Sequence, residues 1–276
     1  MENDSRGKNI LDRIVTARRE SVASRKCVLP DVALKIAAQK NNAPRDFPAA
    51  LSDDGFNVIA ELKKVSPSRG TIRAEYAPAT LAPALETAGA AALSVLTEED
   101  FFFGSLADLQ VVRAATHIPV LRKDFIIDPW QVWEARAAGA DSFLLIVAIL
   151  SDEELRELLM LGRSLQMEPL VEVHSRAELD RAIAAGSRII GVNNRDLRNF
   201  EVRLETSLDL ADAIPADCIA VSESGLHSAA DLARLRAAGF DAFLIGEHLM
   251  KQAYPAAALQ ALLEPQAAAT PGRTSA

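Results

Sequence analysis

One unit recurs along this chain: a helix-length segment, an Ala-Gly junction, then a short apolar run. It stands at Ala88-Gly89 before AALSVLTE, at Ala138-Gly139 before DSFLLIV, at Ala185-Gly186 before RIIGVN and at Ala238-Gly239 before DAFLIGE. Glycine suits such a junction because helices commonly stop at a residue of positive φ, which glycine adopts without steric cost. Four junctions in series predict a repeated helix-to-strand unit.

Filling the gaps yields eight apolar, largely β-branched runs: 57–62, 91–96, 118–122, 142–147, 169–173, 188–192, 218–221 and 242–245. They are continuous rather than alternating, as strands covered on both faces must be. Helix-length segments with polar faces lie between them, at 78–88, 105–116, 129–138, 151–166, 176–185, 204–213 and 227–238. Strands alternating with helices specify parallel pairing, and eight such units close a (β/α)8 TIM barrel. An open doubly wound sheet is the alternative topology.

The expected domain plan is an N-terminal helical extension over 1–55 that caps one end of the barrel, a catalytic barrel over 56–265 and a disordered tail over 266–276. The extension contains an amphipathic stretch from Ile10 to Arg25 and a second short helix from Val32 to Ala38, separated from the barrel by prolines. The tail AAATPGRTSA is small and polar.

Composition removes several classes of function. With 38 acidic against 30 basic residues and no long basic run, nucleic acid is not an expected partner. The longest nearly apolar stretch, Ser142 to Leu150, is too short to span a bilayer, and the N-terminus lacks the apolar core of a signal peptide, so no membrane and a cytoplasmic location are expected. Cys27 and Cys218 form no CxxC and the four histidines are scattered, which leaves no material for a disulfide framework or a metal site.

In a barrel of this kind the reactive groups belong where strands end. The first run ends in Glu61 and Lys63, two apart and therefore on one face, here toward the axis. The third ends in Lys123 and the fifth in Glu172, which supply the partners that buried charges need. Lysines and glutamates around one cavity shift one another's pKa values, which is how acids and bases are tuned near neutrality. Ser224-Gly225 after the seventh run and Gly246-Glu247 after the eighth lie where barrels commonly bind phosphate through backbone N–H groups. The carboxylate of Glu247 is expected to point away from an anion. Phe101 to Phe103 and Phe125 offer an apolar wall for an aromatic substrate. His174 and His248 are read as loop residues without partners.

These motifs match a known family. The run IAELKKVSPSRG resembles the signature of indole-3-glycerol phosphate synthase, and the likeness continues through SVLTEEDFFFGS, PVLRKDFIIDPWQV, GADSFLLIVAIL, EPLVEVH, IGVNNRDL, VSESGL and AFLIGEHLM, with ILDRIVTARRESVASRK similar to that family's extra helix. The resemblance implies closure of the indole ring of a carboxyphenylamino deoxyribulose phosphate, with loss of carbon dioxide and water, in tryptophan biosynthesis, without cofactor or metal. By this resemblance Lys123 is the general acid of ring closure and Glu172 an acid/base group of the dehydration. Lys63 assists, while Glu61 and Asn193 orient the substrate and the lysines. Arg195 joins the polar cluster, Glu223 and Ser224 line the far side, and Phe102 and Phe125 face the anthranilate ring. Ser66, Ser224, Gly225, Gly246 and the amide of Glu247 hold phosphate. The implied partner is this small-molecule phosphorylated anthranilate-sugar substrate, and a monomer is expected. Lys64, Val65 and Glu247 depart from the usual pattern.

The related isomerase of phosphoribosylanthranilate requires a cysteine at the end of the first strand and an aspartate at the end of the sixth. Glu61 and Asn193 occupy those ends here. A barrel kept only as a binding partner would have no use for four costly charges in one cavity.

Overall fold

The computed structural model describes residues 10–67, 69–196 and 200–264. The expected tail at 266–276 lies outside the described residues. Eight parallel strands form a closed barrel: β1 (Asn57–Leu62), β2 (Ala92–Leu96), β3 (Val120–Lys123), β4 (Ser142–Ile146), β5 (Leu170–Val173), β6 (Ile189–Asn193), β7 (Ile219–Glu223) and β8 (Ala242–Ile245). Each pairs with its sequence neighbours, and β8 closes on β1 with Asn57 opposite Ala242. A short hairpin, Val65–Ser66 with Gly70–Thr71, follows β1.

Twelve helices surround and close this barrel among the described residues: α1 (Ile10–Val28), α2 (Asp31–Lys40), α3 (Phe47–Ala50), α4 (Pro78–Thr87), α5 (Leu106–Ala115), α6 (Pro129–Ala138), α7 (Asp152–Ser164), α8 (Arg176–Ala184), α9 (Glu205–Ala211), α10 (Ala229–Ala237), α11 (Glu247–Met250) and α12 (Pro255–Leu263). Several starts are written in the sequence. Ser105, Ser151, Ser175 and Ser228 cap α5, α7, α8 and α10 by accepting from the backbone N–H three residues on, and Glu154 and Asp231 complete reciprocal capping boxes.

The period of two along each strand sorts the side chains. Ile59, Leu121, Leu144, Leu170, Ile189, Val221 and Leu244 point inward and fill the axis. Val58, Leu93, Val120, Phe143, Val171, Ile190 and Phe243 point outward and bury the helices. The same parity, carried to the strand ends, sends Glu61, Lys123, Glu172, Asn193 and Glu223 toward the axis and Arg122 and Asp124 away from it.

The extension does more than cap one end. α1 lies over the mouth at the strand C-termini, with Ile14 packed beside Phe101, Phe102 and Phe125 and the Arg13 guanidinium 5.9 Å from the Phe101 ring centre. α2 runs down the side of the barrel, where Val22, Leu34 and Trp130 form one cluster with α6. α3 closes the opposite end: Phe47 and Leu51 belong to the axial core, and Leu51 O accepts from the Asn57 side chain at the start of β1. Sequence periodicity revealed the two longer helices but not this wrap, because where a stripe docks is a long-range matter.

A buried ionic network fastens α1. Arg18, 1% exposed, lies 3.1 Å from Asp124 and 3.5 Å from Glu98, while Arg122 bridges Asp124 and Glu134 at 2.9 and 2.8 Å. Glu98 in turn accepts the backbone N–H groups of Asp100, Phe101 and Phe102, which shapes the β2 loop. Removing one partner from a buried network costs about 3–5 kcal/mol, since the remaining charges lose their compensation. Arg18→Met is therefore expected to lower unfolding stability by about 3 kcal/mol in urea titration. An unchanged midpoint and slope would contradict a stabilising role for this network.

Candidate active site

Every site residue expected from the sequence lines a single cavity of about 220 Å³ at the C-terminal mouth of the barrel. Its floor is charged. Lys123 Nζ donates to Glu172 Oε2 at 2.8 Å and to Glu223 Oε2 at 2.7 Å, so β3, β5 and β7 converge on one ammonium. Lys63 pairs with Glu61 at 2.5 Å rather than with Glu172. Two glycines make room for these acids: a Cβ on Gly191 would stand 2.2 Å from Glu223 Oε1, and one on Gly246 would stand 2.2 Å from Glu61 Oε1.

Burial and charge act against each other here. Desolvation disfavours the Lys123 ammonium, yet Glu172, Glu223 and Glu61 outweigh it and hold the pKa above the usual lysine value. Burial likewise opposes the Glu172 carboxylate, but Lys123 and His174 keep it ionised well below the ordinary range. Glu223 goes the other way: burial, reinforced by Glu172 and Glu61, outweighs Lys123 and pushes it up to about 7. One ammonium thus stands between two acids of opposite tendency.

An apolar wall and a loop pair flank the charged floor. Phe102 and Phe125 have ring centres 6.0 Å apart, tilted by 37°. Opposite them, Ser224 and Gly225 both adopt positive φ, at 69° and 77°. The Asn194 side chain holds the Ser224 carbonyl at 3.0 Å, and a Cβ on Gly225 would meet Val202 Cγ1 at 2.5 Å. The backbone N–H groups of such a tight turn are suited to an anion. Ser66, from the hairpin after β1, is buried at the same cavity.

Glu247 gains partners that the sequence did not show, and two expectations need correction. The Glu247 carboxylate is not left bare: it pairs with Arg69 at 3.2 Å, Arg195 at 3.0 Å and Lys251 at 2.6 Å, and these cations, against the cost of burial, hold its pKa below the ordinary value. It ties the loops after β1, β6 and β8 together. His248 is not isolated either, since its ring meets His227 edge to face at 5.6 Å and both line the cavity. His174 has two partners, Glu172 at 3.3 Å and Glu178 at 3.2 Å. The signal lay in the spacing: residues 172 and 174 share a strand face, and residue 178 stands one turn into the following helix.

The model of the indole-3-glycerol phosphate synthase family matches residues 11–262. The chain belongs to that family. It is 46% identical over 258 residues to the indole-3-glycerol phosphate synthase of Aromatoleum aromaticum, covering 92% of this chain and 98% of that one. It is 50% identical over 244 residues to the enzyme of the same name from Chloroherpeton thalassium, covering 87% and 94%. A crystal structure of 3-hexulose-6-phosphate synthase, 15% identical, superposes with a TM-score of 0.61 over 75% of this chain and 98% of that one, a likeness of fold alone. Among the described residues no helix is long and apolar enough to cross a membrane.

The raised Glu223 carboxyl gives a stability test. In the folded protein it keeps its proton up to about 7, whereas unfolded it releases it near the model-peptide value of about 4.3. Between these values the folded state binds the extra proton, so this group's contribution is fully present below the unfolded value and is lost as pH rises through about 7. Glu223→Gln removes that loss. The melting temperature of the variant relative to the parent is expected to rise between pH 5 and pH 8, and a pH-independent difference would show that Glu223 is ionised throughout.

Proposed function

We propose that this barrel closes the indole ring of a carboxyphenylamino deoxyribulose phosphate, releasing carbon dioxide and water, as a carboxy-lyase of tryptophan biosynthesis. Lys123, caught between two carboxylates with an aromatic wall on one side and a loop pair fit for phosphate on the other, is the feature on which this reading rests. The substrate has the matching parts: an anthranilate ring for Phe102 and Phe125, a carbonyl for Lys123, and a phosphate for the N–H groups around Ser224, Gly225, Gly246 and Glu247. Ser66 adds a hydroxyl from the β1 loop.

In ring closure the aromatic carbon bearing the carboxylate attacks the sugar carbonyl. A carbon–carbon bond forms, the carbonyl π electrons move to oxygen, and Lys123 protonates that oxygen. An alkoxide is a stronger base than an amine, so the proton leaves even an ammonium held above its usual pKa. Carbon dioxide then departs and its bonding pair restores the aromatic ring.

In the dehydration Glu172, kept ionised by its cations, accepts the proton from the carbon beside the nitrogen. The hydroxyl leaves as water with a proton from Lys63. Glu172 can hand its proton to Lys123, 2.8 Å away. One proton is taken up overall, as required when a carboxylate leaves as neutral carbon dioxide. Glu61 orients Lys63, Asn193 accepts the backbone N–H of Arg195 at 3.0 Å, and Arg195 and Glu223 complete the polar lining.

Purified protein mixed with this substrate in the presence of a chelator is expected to develop indole fluorescence. Lys123→Ala should lower kcat by at least about 10²-fold, the usual size of a general-acid contribution. The fold should survive, because Glu223 already binds a proton readily and two neighbouring carboxyls can share one. A folded Lys123→Ala protein with more than about a tenth of parental kcat would overturn the assignment.

A further inference from the structure

Glu172 meets a cationic side chain at each oxygen. Oε2 accepts from Lys123 at 2.8 Å, and Oε1 faces His174 Nε2 at 3.3 Å. The imidazole is itself held from behind, with Nδ1 3.2 Å from Glu178 Oε2, and the same Glu178 oxygen accepts the His174 backbone N–H at 2.8 Å. Glu178 stands in the first turn of α8, whose Ser175 cap accepts the Glu178 N–H. The result is a continuous row of carboxylate, imidazole and carboxylate leading from the helix layer into the cavity. His174 itself is not among the residues that line the cavity.

We propose that His174 is a positioning residue for this reaction, fixed by Glu178 and holding the Glu172 carboxylate in one orientation for proton abstraction in the dehydration. The proposal rests on the reading of Glu172 as the acid/base group of that step. With one oxygen bonded to Lys123 and the other facing the His174 ring, the carboxylate plane is biased to one setting of its terminal torsion, which is otherwise broad. A base held in place avoids the entropic cost of finding its geometry in each turnover.

Charge supports the same role. Burial alone would neutralise His174, but Glu172 and Glu178 on either side raise its pKa to about 10, so it is an imidazolium at neutral pH. Both ring nitrogens then carry protons, as two carboxylate partners require. The groups facing Glu172 are Lys123 from β3, His174 beyond β5, Glu178 from α8 and Glu223 from β7. Of the cations, Lys123 remains when His174 is replaced, so Glu172 loses part of its support rather than all of it.

The test compares the parent with His174→Gln, Glu178→Gln and Glu172→Gln. In the parent, nitrogen-15 spectra of histidine-labelled protein should show one imidazolium, absent from His174→Gln, that persists at pH 8. In Glu178→Gln that ring should titrate at lower pH. His174→Gln should fold and lose about 10-fold or more in kcat, with KM within about threefold of the parent. If Glu172→Gln is inactive while His174→Gln keeps parental kcat, the positioning role is wrong and the reading of Glu172 stands. If Glu172→Gln remains active, that reading fails first. A neutral His174 ring at pH 7 would likewise overturn the proposal.

Discussion

A single ammonium at the barrel axis, shared by two buried carboxylates, is the constraint to which the rest of the molecule conforms. Unit charges about 3 Å apart attract by roughly 5 kcal/mol at an effective dielectric of about 20. Withdrawing each ion from water costs several kcal/mol. Lys123, Glu172 and Glu223 therefore contribute little net stability, and the barrel must hold them against a near balance. Strand closure does this: β3, β5 and β7 present their inward positions at the same height, and Gly191 leaves the space that the Glu223 side chain occupies. Hydrophobic burial along the axis and beneath the helices carries the cost.

Strand parity divides the charges into two groups with different work. Inward residues at the strand ends build the charged floor of the cavity. Their immediate neighbours Arg122 and Asp124 face outward and anchor α1 and α6. Lys123 is thus flanked in sequence by residues that belong to a separate network, and the N-terminal helix reaches the site through that network and through Ile14 against Phe125. The extension and the barrel mouth are mechanically continuous, while α3 closes the far end.

Much of this was legible in the residues. Ala-Gly junctions and continuous apolar runs located all eight strands to within about two residues, since a parallel strand buried on both faces leaves a plain signature. The charged end of the barrel was legible because Glu61, Lys123 and Glu172 lie at the ends of their strands. What escaped depends on the approach of distant segments. The Glu247 carboxylate seemed ill placed beside an anion until Arg69 and Arg195 arrived from other loops. His174 looked partnerless because its partners lie on a strand end and a helix start whose join had to be seen in three dimensions. The α1–α3 wrap required knowing which surface each stripe covers.

The central claim is that substrate lies with its ring on the aromatic wall, its carbonyl at Lys123 and its phosphate at the β7 and β8 loops. A crystal structure of Glu172→Gln soaked with the carboxyphenylamino substrate tests this most directly. The account predicts phosphate oxygens within hydrogen-bond distance of the N–H groups of Gly225 and Glu247, the anthranilate ring against Phe102 and Phe125, and the sugar carbonyl oxygen within hydrogen-bond distance of Lys123 Nζ. Density showing the phosphate at the opposite end of the cavity, or the carbonyl out of reach of Lys123, would contradict it.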